Sequence, residues 1–495
     1  MVDRRLQPRR LRGVNFGGVV FLLGRLLLAL ALALAVPGIL AQLTHREARF
    51  PFFVSAGLAT LTGIVCQRVF RQEEDFSFGR REAFLLVGSA WFVATFAGAL
   101  PFILYFGPGF TIDAIFESAS GFTTTGASIF TDVESLPASF LLWRALTHWI
   151  GGMGIIVLGI AILPKLAVGG MELLGAEAPG PIQEKLTPRI AQTAQLIWGT
   201  YVLLTGVEVA ILMALGLGPL DAVAQAFATM ATGGFSTRNA SVAAFESPAV
   251  EWTITVFMIL AGANFALHYQ WLRGRFRVLT RDPEFRLYLG IIVFTTLVVV
   301  ADLMLARVNT SFFDALRLAA FQVASVVTTT GFATADYDLW PGLSRMSLWA
   351  LMFIGGCAGS TGGSVKVVRH LILLKNIVVD LKRVLQPRAV LPVRLGQKAI
   401  PDSVVSSVMA FFVLFLLLFT AGGFALVVLG VDPLTAFSAS SACLANVGPG
   451  FAQVGPTMNY AGLPAVGKVL LAVLMIVGRL ELYTLMVMIF FRRLM

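Results

Sequence analysis

Hydrophobic positions in this chain fall in long unbroken blocks, not in the alternating pattern of strands or the one-faced pattern of soluble helices. Ten blocks stand out. They are Val14–Leu43, Phe50–Gln67, Ala83–Phe106, Phe140–Leu163, Ala194–Leu217, Val250–Leu272, Leu287–Ala306, Arg345–Leu374, Val404–Leu429 and Pro464–Phe491. Each is long enough, or nearly so, to cross a hydrocarbon layer of ~30 Å as a helix; Phe50–Gln67 is the shortest. The pattern predicts an all-α polytopic membrane protein. Composition agrees, with 57% hydrophobic and 13% charged residues among 495. Soluble enzymes carry about 25% charged residues, and disordered chains carry few apolar ones. Cys66, Cys357 and Cys443 lie in or beside apolar blocks and form neither a disulfide framework nor a CxxC metal pattern.

The net charge of +10 is explained by where the basic residues fall. With the N-terminus placed inside, inward segments hold 27 of the 37 Lys and Arg residues. These include Arg4, Arg5, Arg9, Arg10 and Arg12, then Lys165, Lys185 and Arg189, and the eight from Lys366 to Lys398. Arg492 and Arg493 close the inward set. This is the positive-inside asymmetry, and it predicts both termini in the cytoplasm. Because the charges flank spans and do not line an aromatic-bearing groove, no nucleic-acid partner is expected. The run Leu26–Ala35 (LLLALALALA), after a basic start and before small residues near Ala41, also fits a cleaved secretory leader. Cleavage would put every later basic segment on the wrong side, so the block is read as a span.

Between certain blocks lie segments too polar and Gly-rich to cross, yet too apolar for solvent loops. They are DAIFESASGFTTTG (Asp113–Gly126), DAVAQAFATMATG (Asp221–Gly233), DALRLAAFQVASVVTTTG (Asp314–Gly331) and DPLTAFSASSACLANVG (Asp432–Gly448). The closing glycines are 107, 98 and 117 residues apart, so one span–re-entrant segment–span unit occurs four times. The expected division is a two-span region over 1–75, then repeats over 76–180, 181–280, 281–395 and 396–495. Each segment predicts a short helix whose opening Asp caps its N-terminus and whose negative end points inward. The residues before each glycine must then be non-helical, with carbonyls aimed toward a shared axis. Irregular backbone at membrane depth is tolerated where it lines a watery path, and four such strands can replace the water shell of a cation. The candidate cation-binding residues are Thr124, Thr125 and Gly126; Ala231, Thr232 and Gly233; Thr329, Thr330 and Gly331; and Asn446, Val447 and Gly448.

GFTTTGAS (Gly121–Ser128), ATGGFST (Ala231–Thr237), TTTGFAT (Thr328–Thr334) and NVGPGF (Asn446–Phe451) resemble the bacterial potassium-uptake proteins of the Trk/Ktr/HKT superfamily. So do HWIGGMGIIVL (His148–Leu158), GGCAGSTGGSVKVVR (Gly355–Arg369) and GRLELYT (Gly478–Thr484). The resemblance covers nearly the whole chain, and the two extra leading spans favour the TrkH type over the shorter Ktr type. It implies four pseudo-symmetric units around one pore and K+ as the only metal, carried as cargo, with no organic cofactor on this chain. It also implies a homodimer in the bacterial inner membrane, regulated by a cytosolic TrkA-like nucleotide-binding ring. One glycine per strand, in place of the longer TVGYG of tetrameric channels, implies K+ preferred over Na+ without absolute rejection.

Gly355–Ser364 (GGCAGSTGGS) interrupts the eighth block with five glycines in ten residues, at about 1 kcal/mol each against a helix. A kinked, closely packed helix would also use small residues. The resemblance assigns Gly355, Gly356, Gly359, Ser360, Thr361, Gly362 and Gly363 to an intramembrane gate below the filter. It places Arg479 at the pore as a brake on cations. An intramembrane charge generally faces protein or water, so a structural pair of Arg479 with Glu481 or with a backbone carbonyl is the competing reading. Arg144 and His148, four apart on one helix face, are expected to be core packing residues, with binding to each other's neighbours or to the filter support as the alternative. Glu208 and Lys468 are expected to be structural partners for Arg and backbone, and Lys366 is expected near the inner mouth. Gly462–Lys468 matches GxxxxGK, but Val469 stands where a hydroxyl would hold Mg²⁺. HExxH, GxSxG, CxxC and GxGxxG do not occur, so no enzyme is expected. A K+/H+ or K+/Na+ symporter is the alternative mechanism, since transporters also use repeats and broken helices.

Overall fold

A computed structural model describes residues 14–71, 80–161, 186–308, 311–389, 391–396 and 398–480. Arg4, Arg5, Arg9, Arg10, Arg12, Lys165, Lys185, Glu481, Arg492 and Arg493 lie outside them. The fold is helical, as its apolar blocks require. Two leading helices, α1 (Phe16–Thr44) and α2 (Arg49–Val69), pack closely on each other. A Cβ at Gly24 would lie 2.9 Å from the Gly63 carbonyl oxygen, a small-residue contact suited to lipid.

Four units follow. The first is α3 (Arg80–Phe106), α4 (Thr111–Phe122) and α5 (Ala138–Ala161). The second is α6 (Leu186–Ala214), α7 (Pro219–Met230) and α8 (Pro248–Ala261), continued by α9 (Phe265–Leu272) and the short α10 (Arg277–Arg281). The third is α11 (Pro283–Leu305), α12 (Phe312–Val327), α13 (Gly342–Leu351) and α14 (Val367–Leu385). The fourth is α15 (Asp402–Val428), α16 (Pro433–Leu444) and α17 (Ala465–Arg479). A two-residue ladder, β1 (Arg394–Leu395) with β2 (Lys398–Ala399), links the last two units.

Among the described residues six helices are long and apolar enough to cross a membrane, and the pair α8 and α9 makes a seventh candidate bent by 103°. Outward-facing Leu32, Phe294, Leu417 and Val428 are exposed, as a lipid-facing surface requires and a soluble surface would not sustain. The short helices α4, α7, α12 and α16 are the inner layer, and the side chains of their second halves are almost wholly buried.

Two expectations need correction. The sixth block, read as one span, is broken at Gly262–Asn264. The Asn264 side chain caps α9 by accepting from the Ala266 N–H at 2.9 Å, and the Gly262 carbonyl accepts the Cys357 N–H at 2.8 Å. The break persists because its backbone groups are satisfied from elsewhere in the fold.

The opening aspartates also differ from one another. Only Asp432 caps its helix, accepting from the Thr435 N–H, while Ser311 caps α12. Asp113 and Asp221 sit inside the first turn, where their charge still matches the helix dipole. Asp113 binds Lys468 at 2.5 Å, and Asp221 binds Arg238 at 2.8 Å and the Thr237 hydroxyl at 2.6 Å. Lys468 is thus a structural cation facing an inner-layer helix.

Candidate ion pathway

The four inner helices end in the same way. Beyond the cap residues Thr123, Ala231, Thr328 and Ala445, the next residue turns left-handed: Thr124 at φ 52°, Thr232 at 53°, Thr329 at 60° and Asn446 at 55°. The N–H after each returns to a carbonyl five residues back. Thr125 to Ser120 measures 2.9 Å, and Gly233 to Ala228, Thr330 to Ser325 and Val447 to Ala442 each measure 2.8 Å. This is the helix-ending turn that ordinarily takes glycine. Three of the four positions carry a β-branched threonine, at about 1–2 kcal/mol each. Strain of that kind, repeated at four equivalent places, marks positions where backbone direction matters more than local stability.

A glycine with positive φ follows in each: Gly126 (80°), Gly234 (82°), Gly331 (79°) and Gly448 (95°). The second strand therefore sits one residue later than its spacing suggests. Its members are Thr232, Gly233 and Gly234, whereas Ala231, expected among them, is the helix cap equivalent to Thr123. Two adjacent glycines make that register ambiguous in sequence, and the turn bond of Gly233 resolves it.

The four glycines interlock in a closed cycle. A Cβ on Gly126 would strike the carbonyl oxygen of Gly233; on Gly234, that of Thr330; on Gly331, that of Val447; on Gly448, that of Thr125. Each strand thus packs backbone to backbone on the next, and the fourth closes on the first. Four equivalent carbonyls form a ring, which only residues without side chains at the contact allow.

Side chains buttress this ring from behind. Buried Glu117 accepts from Arg144 Nε at 2.7 Å, from the Ile129 N–H at 2.9 Å and from the Ser128 hydroxyl. Gln225 donates to the Ser236 hydroxyl at 2.8 Å and Gln322 to the Thr334 hydroxyl at 3.5 Å. All three stand nine residues before their glycines, a regularity visible in the sequence. The Tyr460 hydroxyl donates to the Gly448 carbonyl at 2.6 Å. In the loop between the first strand and α5, hydrogen bonds, foremost from the Asn239 amide, hold the Asp132 carboxyl below its usual range.

On the other side of the ring lies the broken eighth block. Residues 352–366 are non-helical between α13 and α14, and all seven candidate gate residues fall there. The Thr361 hydroxyl donates to the Met230 carbonyl at 3.0 Å, and the Gly363 N–H donates to the Thr329 hydroxyl at 2.7 Å. A Cβ on Gly363 would lie 2.5 Å from the Ala445 carbonyl oxygen. The loop therefore lies against the inner ends of α7, α12 and α16. Buried Arg479 donates through Nη1 to the Thr361 carbonyl at 2.8 Å, so loop and guanidinium form one contact. Lys366 donates to the Gly362 carbonyl. Glu284 of α11 accepts the Ala358 N–H at 2.7 Å and the Val368 N–H at 3.0 Å through one oxygen, tying the middle of the loop to the start of α14. Glu208 is buried on α6 with no ion-pair partner among the described residues, which does not match the expected pairing with an Arg.

The family described as TrkH, cation transport protein, matches residues 53–493. The Trk system potassium uptake protein TrkH of Salmonella typhimurium is 41% identical over 480 residues, covering 96% of this chain and 98% of that protein. The corresponding Vibrio parahaemolyticus protein is 38% identical over the same shares. The crystal structure of the potassium transporter TrkH from Vibrio parahaemolyticus superposes with a TM-score of 0.88 at 36% identity, covering 96% of this chain and 98% of that one. This chain belongs to the TrkH family. As a TrkH-family member it is a polytopic helical membrane protein of a cation-transport family, not of an enzyme family. The GxxxxGK match in this TrkH-family chain has its lysine tied to Asp113, so the motif's cation already has a carboxylate partner.

Proposed function

We propose that this chain is the K+-conducting subunit of a bacterial Trk-type uptake system, with the interlocked ring as its selectivity filter. The observation that carries the reading is the closed cycle of four left-handed turns and four glycines. Carbonyls fixed in that way substitute for the hydration shell of a bare cation. K+ as the ion follows from relatives that are themselves named potassium uptake proteins. Loop 352–366, with Arg479, is the gate, since a glycine-rich segment against the inner ends of three filter helices can be displaced at little cost in regular structure. Conduction is passive and gated, driven by a membrane potential worth about 2.3 kcal/mol per K+ at 100 mV. The protein is a homodimer in the inner membrane with both termini cytoplasmic, and a cytosolic nucleotide-binding ring regulates it. Repeats that share one orientation, with inner-layer helices entering from one side, favour a channel over a symporter.

Expression in a strain lacking K+ uptake tests the reading. Growth at low K+ supports it, and no rescue by a membrane-inserted chain refutes it. Resolved unitary currents in a bilayer select the channel, whereas K+ uptake that requires co-transported H+ or Na+ selects the symporter.

A further inference from the structure

The four strands are not equal at their middle position. In the first and third repeats that residue is threonine, and its hydroxyl bonds the cap hydroxyl beneath it: Thr125 to Thr123 and Thr330 to Thr328, both at 2.7 Å. The fourth repeat has buried Val447 above Ala445. The second has Gly233 above Ala231, so no side chain of its own braces that quadrant. The space is nonetheless filled. A Cβ on Gly233 would run into the imidazole of His148, which comes from α5 of the preceding repeat. His148 is fully buried and stacks on Phe235, with centroids 4.2 Å apart and planes 13° apart. One turn earlier, the Arg144 guanidinium lies 4.1 Å over the same ring and donates to the Ser236 carbonyl at 3.0 Å. Arg144, Thr147, His148, Gly151 and Gly152 share one face of α5, which adjoins Phe122 at Gly151 and Ala231 at Gly152.

We infer that His148 is a positioning residue of the filter. Its imidazole supplies the lateral support that the second strand lacks and fixes the Gly233 carbonyl, which Gly126 abuts, in the ring. The inference rests on the pore reading above. It extends that reading by making one quadrant's geometry depend on a side chain from another repeat. A merely structural histidine would affect how much protein accumulates, not which ion passes.

The test measures the K+:Na+ permeability ratio of the full-length protein in proteoliposomes, after uptake by the unmodified chain is established. His148→Ala lowers the ratio by at least about fivefold, because a site left loose by a fraction of an ångström loses discrimination. Gly233→Val alone collides with the imidazole and also lowers it. The double variant His148→Ala/Gly233→Val, which copies the valine-above-alanine arrangement of Val447 and Ala445 in the fourth repeat, recovers selectivity beyond either single variant. His148→Phe, which keeps a flat ring on Phe235, retains most of it. An unchanged ratio in His148→Ala, or a double variant no more selective than the singles, overturns the inference. Should His148→Ala fail to reach the membrane, the comparison of Gly233→Val with the double variant decides alone. No K+ uptake by the unmodified chain would overturn the pore reading instead.

Discussion

The ring and the loop beside it are built on opposite plans. The ring uses four copies of one turn, each contributing a backbone carbonyl and each pressed on its neighbour. The loop comes from one repeat only. It is held by unlike contacts: the Thr361 hydroxyl on Met230, the Gly363 N–H on Thr329, Arg479 on Thr361, and Glu284 on Ala358 and Val368. Under the proposed function, the difference teaches a division of labour. Recognising a spherical ion asks for equivalent ligands, whereas control needs one element that can move while the rest stays fixed.

The sharpest way to break this comparison is Gly331→Ala. It adds a methyl at φ 79° against the Val447 carbonyl, combining backbone strain of about 1–2 kcal/mol with a steric collision. K+ uptake by the variant should be lost or become unselective, and a normal K+:Na+ ratio would show that the ring is not the filter. Next is Arg479→Ala, which removes a buried charge worth about 4 kcal/mol of repulsion to a cation at 4 Å in an effective dielectric of 20. Unitary conductance or initial uptake should rise several-fold without loss of selectivity; equal flux would remove Arg479 from the gate. Glu284→Ala frees one N–H group within the loop and one at the start of α14, at about 1.5–3 kcal/mol for each bond to a charged acceptor. Its open fraction should increase less than in Arg479→Ala, because the contacts of Cys357 with Gly262 and of Gly363 with Thr329 remain. An open fraction equal to the parent's would mean that Glu284 does not hold the loop. The smallest effect belongs to Tyr460→Phe, which leaves the Gly448 carbonyl short of one donor, at about 1 kcal/mol. Selectivity should shift by roughly fivefold at most with conductance retained, and a change matching that of Gly331→Ala would show the ring to be less self-supporting than its packing implies.

Much of this organisation is legible in the sequence, for physical reasons. Spans announce themselves because lipid demands about 20 apolar residues, and Thr-Thr-Gly ends recur because the turn they make admits few residues. The glycine run from Gly355 points to a broken helix by its cost, although a kinked, closely packed helix uses the same small residues. The break at Gly262–Asn264 does not, because one glycine and one asparagine suffice when Cys357 supplies the missing donor. The register of Gly233 and Gly234 is hidden by their being identical residues, and only a hydrogen bond tells them apart. Nor does the pattern of acids reveal that Asp113 and Asp221 neutralise cations while Asp432 caps a helix, since both uses favour the same residue near a helix start. The partner of His148 is hidden for a related reason: it is an absence, the missing side chain at Gly233, about 85 residues on.

Arg479 belongs to the fourth repeat alone, and its consequence is one of stoichiometry. A pore assembled from four identical subunits repeats every side chain four times, so a guanidinium beside the inner end of the ring would bring three more. Four such charges would close the path to any cation. Joining the repeats in one polypeptide permits a single charge, which on the proposed reading is enough to hinder passage while the loop is in place and small enough for one displacement to remove.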